Sequence, residues 1–382
     1  MKRVWLIIFP VVLVLILTAG ACAKPTTPTG PIKIGTLMAL TGFYAYFDPM
    51  ILDGVEMRFD EAGWAVAGRP IEMIVEDYAT DPAVTLDKAK KLVELDKVDF
   101  LLGPLFSEAA MAVAPYFAEQ NIPDIAFMQH PWEISGASAG WVITPYQTSS
   151  PSPHVMARYL YEAGLRTVTI LASEHVFSYD TMDWFKKGFE SSGGKVLQEQ
   201  YAPMGTADFA PYIVGMEMAD VVVIWAPGPD AERFMTQFEE LGLRGKMLVA
   251  FPTESGLVPI EVFEGMMLAT PYVPAIDTQL NKEFVTAFES KYGRQPMGME
   301  SSGYETASIA LAALEATNGD TTPETLRQTI LELDVTLPSG NVSFTPSGFG
   351  IRSVFINKCV VIDGQAQWEV ITAYPNIKPL EE

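Results

Sequence analysis

Positive charge, cysteine and histidine are all scarce in this chain, and each shortage removes a class of function. Lys and Arg number 25 against 47 Asp and Glu, for a formal net charge of −22. Nucleic-acid binding needs a basic surface to meet the phosphates, so this balance excludes that partner. It also argues against a face that lies on anionic lipid; acidity by itself secures solubility and names no partner. The two cysteines are Cys22 and Cys359. With Cys22 in the leader described below, the body has no second cysteine with which to close a disulfide. Cys359 sits in the apolar run Ser353–Ile362 and reads as an inert core thiol. Three histidines without a nearby cysteine argue against a structural zinc site. Catalytic signatures are missing as well: no G-x-x-x-x-G-K-[ST] loop, no H-E-x-x-H pair and no G-x-G-x-x-G after a strand. The reading is therefore a non-enzyme with no cofactor.

What the chain does have begins at its first residue. Met1-Lys2-Arg3 is followed by an apolar run from Val4 to Leu17, then by Ala19-Gly20-Ala21 and Cys22. Charged, apolar and small-residue regions in that order form a secretory signal peptide. The run is also shorter than the ~20 residues of a spanning helix. With a cysteine directly after the small residues, the leader resembles a bacterial lipoprotein signal. That resemblance implies cleavage before Cys22 and a lipid on its sulfur. Residues 1–21 are then the signal peptide, and 22–30, rich in Pro and Thr, the lipidated residue and its flexible tether.

Hydrophobic residues make up 49% of the chain, enough for a sizeable core. From Ile32 short apolar runs alternate with helical spacing, the pattern of βαβ units and parallel sheets. Strands are expected at 32–38, 69–78, 99–104 and 122–127, with helices at 49–62, 83–95 and from Ser107. The rhythm restarts after Thr144–Pro151. Helices are expected at 153–163, 180–191, 208–216 and 230–241, and strands at 168–171, 195–197, 220–225 and 246–250. Three helices (279–291, 301–316 and 323–332) and three strands (341–344, 352–362 and 366–372) complete the chain.

The order of several local matches resembles the type I periplasmic solute-binding proteins, in particular their leucine/isoleucine/valine-binding branch. They include Ile32-Lys33-Ile34-Gly35, Leu40-Thr41-Gly42, Asp53-Gly54, Glu76-Asp77, Asp81-Pro82, Gly103-Pro104-Leu105-Phe106-Ser107, Asn121-Ile122-Pro123 and Ser301-Ser302-Gly303-Tyr304-Glu305-Thr306-Ala307. The resemblance implies a two-lobed α/β fold, each lobe a mainly parallel sheet flanked by helices, with three crossings near 145–150, 271–275 and 338–341. Lobe one would be 31–147 plus 275–339, and lobe two 148–274 plus 340–382. Solute would sit between the lobes, facing the loops that follow the strands.

On that basis Ser107 is the first candidate ligand residue. It opens a helix after a strand, where free N–H groups and the helix dipole favour an anion, although a serine there also serves simply as a cap. Its neighbour Glu108 would repel a carboxylate if it turned inward. Gln129 and His130 stand where the family often carries a small residue and threonine. Tyr46, Phe47, Phe177 and Trp225 supply rings that can stack on a flat solute. Glu254 lies close to the acidic position that holds an amino-acid ammonium in the family; Asp230 is a second choice and reads better as a helix N-cap.

The function implied is that of an extracytoplasmic solute-binding lipoprotein, in the periplasm or on the outer cell surface. It would be anchored to the membrane through Cys22 and would feed the permease subunits of an ABC importer by hinge closure. A small carboxylate, aromatic or aliphatic, is favoured by the rings and by Gln129-His130. An apolar amino acid is favoured by family, Ser107 and Glu254. The alternative is a ligand-sensing protein serving a signalling partner.

Overall fold

Nearly every residue of the first strand, β1 (Ile32–Met38), is buried, as expected of a central parallel strand covered on both faces. It sits third in a sheet with β2 (Ala65–Val66), β3 (Arg69–Asp77), β4 (Phe100–Leu102), β5 (Asp124–Ile125) and β6 (Val142–Ile143), in the order β2-β3-β1-β4-β5-β6. All pairings are parallel except that of β2 with β3. The second sheet holds β7 (Thr167–Ser173), β8 (Lys195–Ala202), β9 (Val221–Trp225), β10 (Leu248–Phe251), β11 (Met267–Thr270), β12 (Asp334–Leu337), β13 (Gly340–Phe344), β14 (Gly350–Ile362) and β15 (Gln365–Ile377). Strands β7 to β11 pair in parallel, whereas β12 to β15 form antiparallel ladders. These details come from a computed structural model that describes residues 30–128, 130–131, 133–146, 149–253 and 257–380.

Local chemistry explains several helix ends. Asp81 caps the helix Pro82–Lys90, its carboxylate accepting from the backbone N–H of Ala83 and Val84 at 2.8 and 3.1 Å. The expected helix 83–95 does not stay regular to its end. It widens into a π turn at Lys91–Asp96, where Lys91 bonds both Glu76 and Asp96. Thr278 caps the helix Gln279–Tyr292, and Gly293, at φ +72°, closes it. The helices Asp48–Glu61 and Gly298–Ala316 touch backbone to backbone through Gly54 and Gly303. A Cβ on either glycine would lie 2.0 Å from a carbonyl oxygen of the other helix.

Strands β11 and β12 and the helix Glu133–Ser138 were not expected from the sequence. Strand β11 is four buried residues with no polar alternation, and Asp334–Leu337 carries too little apolar pattern to stand out. Conversely, the run 122–127 pairs only over two residues, because the chain peels off towards the cleft described below.

One apolar cluster fills the first sheet and its helices and takes in residues 299–344, including Leu337, Val342 and Phe344. Two others flank the second sheet, and Phe284 and Phe288 of the helix Gln279–Tyr292 join one of them. The hairpin of β12 and β13 therefore straddles the junction, its side chains in the first core and its hydrogen bonds leading to β14. Thr144 bonds Gly348 and Gly350 across the same junction. Beside it lies a buried ion pair, Arg352 with Glu305, at 2.8 Å. Arg352 also donates to Ser339 Oγ at 2.5 Å and to the Pro145 carbonyl at 3.3 Å, and stacks over the Tyr146 ring. Charges this deep persist only when paired and hydrogen-bonded. Cys359 is a buried free thiol whose pKa burial pushes up to about 11. Among the described residues no helix is long and apolar enough to cross a membrane, and no His, Cys, Asp and Glu cluster could hold a metal ion.

Candidate functional site

The loops at the carboxyl ends of the parallel strands converge on one cleft, as open α/β sheets dictate. The turn Phe43–Tyr46 after β1 supplies Tyr44, and Phe47 follows it into the helix Asp48–Glu61. After β4 come Leu105 and Ser107, and after β5, Met128. From the second sheet, His175 and Phe177 follow β7, while Trp225 ends β9 and Pro227 comes after it. Met299, from the start of the helix Gly298–Ala316, completes the lining. The empty space is about 460 Å³ counting its open mouth.

Aromatic rings form half of the wall. Tyr44 lies 5.5 Å from Phe47 and 4.9 Å from Phe106, ring centre to ring centre. On the facing side His175 stacks on Trp225 at 5.5 Å and 13°, and Phe177 tilts against Trp225 at 5.6 Å. The two sides meet where Tyr44 and His175 stack at 6.2 Å, and rings of this kind can also stack on a flat solute.

Polar groups are few and placed. Ser107 is the first residue of the helix Ser107–Gln120, whose cap is Phe106 with no side-chain bond. It does not cap its own helix, and its Oγ lies 3.4 Å from His130 Nδ1. His130 is fully buried, and burial pushes its pKa down to about 4, so a neutral ring backs Ser107. Glu108 turns away from Ser107 towards the other sheet. Its Oε2 is 3.1 Å from His175 Nε2 and its Oε1 is 3.5 Å from the Val176 N–H. Burial works to raise the Glu108 pKa, but the bonds from His175 and the backbone outweigh it and hold the carboxyl below its usual range. The Tyr44 hydroxyl joins the same group, 3.3 Å from His175 Nε2.

Behind Phe47, Asp48 is fully buried. Its Oδ2 accepts from the Ala39 N–H at 2.6 Å and from the Tyr78 hydroxyl at 3.2 Å. Burial pushes its pKa up to about 8, against the pull of those two bonds. The Tyr78 hydroxyl also accepts from the Phe106 N–H, linking this buried acid to the loop that carries Ser107.

Of the residues singled out from the sequence, Ser107, Phe47, Phe177 and Trp225 lie together on the cleft wall. His130 sits one layer behind Ser107. Tyr46 is half-exposed and meets the edge of Phe47 at 4.9 Å, outside the lining. Gln129, Glu254 and Cys22 lie outside the described residues. Asp230 is not an N-cap: Pro227 holds that place in the helix Gly228–Glu240, and Asp230 accepts from the Gly205 N–H and pairs with Arg233. Among the lining residues that the sequence did not single out are His175 and Met299. His175 could have been found from its place, two residues past a buried strand; Met299 enters from a distant helix and leaves no local signal.

The stretch Gly136-Ala137-Ser138-Ala139-Gly140 has the G-x-S-x-G spacing of a hydrolase elbow. Ser138 is buried at the end of the helix Glu133–Ser138, not raised on a strand-to-helix turn, so that match carries no nucleophile.

The family model described as periplasmic binding protein matches residues 31–364. Leu/Ile/Val-binding protein homolog 6 of Brucella abortus (strain 2308) is 25% identical over 348 residues, 87% of this chain and 88% of that one. An ABC transporter substrate-binding protein from Sphaerobacter thermophilus superposes with a TM-score of 0.86 at 27% identity, covering 92% of this chain and 99% of that one. The solute-binding protein of an ABC transporter from Rhodopseudomonas palustris BisB5, in complex with 3,4-dihydroxy benzoic acid, superposes at 0.84 with 25% identity, over 91% and 98% of the two chains.

Proposed function

The chain belongs to the periplasmic binding protein family, and from that premise we propose that its cleft captures a small aromatic carboxylate for an ABC importer. The observation that carries this reading is the cleft wall itself. Tyr44, Phe47, Phe177 and Trp225 offer faces for a flat ring, and Ser107, at the start of its helix, offers a hydroxyl and free N–H groups for a carboxylate. The Rhodopseudomonas relative, crystallised with a dihydroxybenzoate, supports the same solute class.

The family places the protein outside the cytoplasm, where it captures solute. In our reading lobe one is 31–147 plus 275–339 and lobe two is 148–274 plus 340–382. Solute bridges the two, the lobes close about the junction near Arg352, and the closed form docks on permease subunits. The chain performs no chemistry on its cargo. Cleavage before Cys22 and lipidation of its sulfur would hold it to the membrane.

A thermal-shift panel on the purified protein, first unfolded and refolded to strip captured ligand, tests the solute class. Benzoate or a hydroxybenzoate at 100 times its dissociation constant adds roughly 2.7 kcal/mol of stability. A shift with leucine or valine and none with the aromatic acids would overturn the reading in favour of an amino acid.

A further inference from the structure

We propose that His175 sets the charge class of the solute: by covering the Glu108 carboxylate, it lets an anion occupy the cleft beside Ser107. This inference rests on the aromatic-carboxylate reading and names the element that makes the site tolerate negative charge.

Glu108 directly follows Ser107 on the same helix, so an ionised side chain sits beside the spot where a solute carboxylate would bind. Glu108 does not itself line the cleft; His175 and Tyr44, the rings grouped at its carboxylate, do. His175 comes from the second sheet and is 4% exposed. Its ring stacks on Trp225 and on Phe106 at 5.5 and 5.6 Å, which fixes its plane. When protonated, Nε2 faces Glu108 Oε2 at 3.1 Å, and the Val176 N–H donates to Oε1 from the same sheet at 3.5 Å. Without those donors the carboxylate would act on a bound anion through a partly buried path, where Coulomb repulsion is weakly screened. The contact joins the two halves of the molecule, so the charge is covered only when the lobes are together.

The test compares benzoate with benzamide, which share a ring and differ in charge, by isothermal titration of the purified protein. His175→Phe keeps a stacking ring and removes the donor. It should weaken benzoate by about tenfold or more and leave benzamide within about threefold, since only the charged solute is repelled by the uncovered carboxylate. The double variant Glu108→Gln/His175→Phe should restore benzoate to within about threefold of wild type. His175→Gln, which retains an N–H donor, should hold most of the benzoate affinity. Equal losses of benzoate and benzamide in His175→Phe, or no recovery in the double variant, would overturn the proposal and leave His175 a packing residue. Wild type that binds neither compound would instead overturn the aromatic-carboxylate reading, and this inference with it.

Discussion

Replacing Arg352 with methionine should be among the costliest single substitutions in this protein. The Arg352 and Glu305 side chains are 1% and 0% exposed, and their ion pair spans the junction between the helix Gly298–Ala316 and β14. Arg352 Nη2 reaches Glu305 Oε2 at 2.8 Å and Ser339 Oγ at 2.5 Å, and Glu305 Oε1 accepts from the Ser339 N–H at 2.9 Å. Methionine fills much of the volume but leaves Glu305 as a buried, uncompensated charge. Breaking such a pair from one side costs about 3–5 kcal/mol. Urea unfolding at pH 7 reads this directly: with m near 3 kcal/mol/M for a chain of this size, the midpoint should fall by roughly 1 M or more. The double variant Arg352→Met/Glu305→Gln removes both charges while keeping an acceptor for Ser339. It should recover a large part of the loss, because replacing a whole buried pair is often close to neutral. A single-variant cost under about 1 kcal/mol, or a double variant as unstable as the two single losses added, would refute the claim that desolvated charge dominates here.

Gly303→Ala places a methyl 2.0 Å from the Ile51 carbonyl and should cost about 1–3 kcal/mol, unless the two helices part more easily than close packing implies; a shift in melting temperature checks it. Asp48 ionises near pH 8 in the folded protein, because of burial, and near 3.9 in an unfolded chain. Between those values the folded state holds one more proton, so this group lowers stability by up to ~1.4 kcal/mol per unit as pH rises. Asp48→Asn should therefore gain on wild type between pH 5 and pH 8 in urea midpoints, and an unchanged difference would sink the assignment. His130 acts in the opposite sense. Its folded pKa of about 4 lies below the ~6.5 of a free histidine, so acidification from about 6.5 to 4 favours the unfolded chain, and His130→Gln should flatten that limb of the same pH series. Trp225→Ala removes a cleft wall and should weaken binding of an aromatic acid by at least tenfold in titration, with a smaller effect on an aliphatic one.

Much of the framework was legible in local sequence. Strand β1, the Asp81-Pro82 helix start and the alternation of apolar runs with helical spacing are short-range signals, set by side-chain period and capping chemistry. They suffice to name a two-sheet α/β body and to expect a cleft at the strand ends. Ser107, Phe47, Phe177 and Trp225 came into view through the family resemblance laid over that framework. Other properties are pairwise and long-range. That Glu108 turns from Ser107 to His175, that a neutral His130 backs Ser107, and that Arg352 finds Glu305 each depend on residues between 23 and 67 positions apart meeting in space. Burial is likewise a property of the assembled fold. Asp48 and His130 look like ordinary titratable residues in the sequence, and only desolvation by their surroundings moves them. The sequence by itself determined most of the elements and their order, because propensity and period act over a few residues. The tertiary structure decided which charges are covered and which rings face the solute, because desolvation and Coulomb energy depend on distance through space.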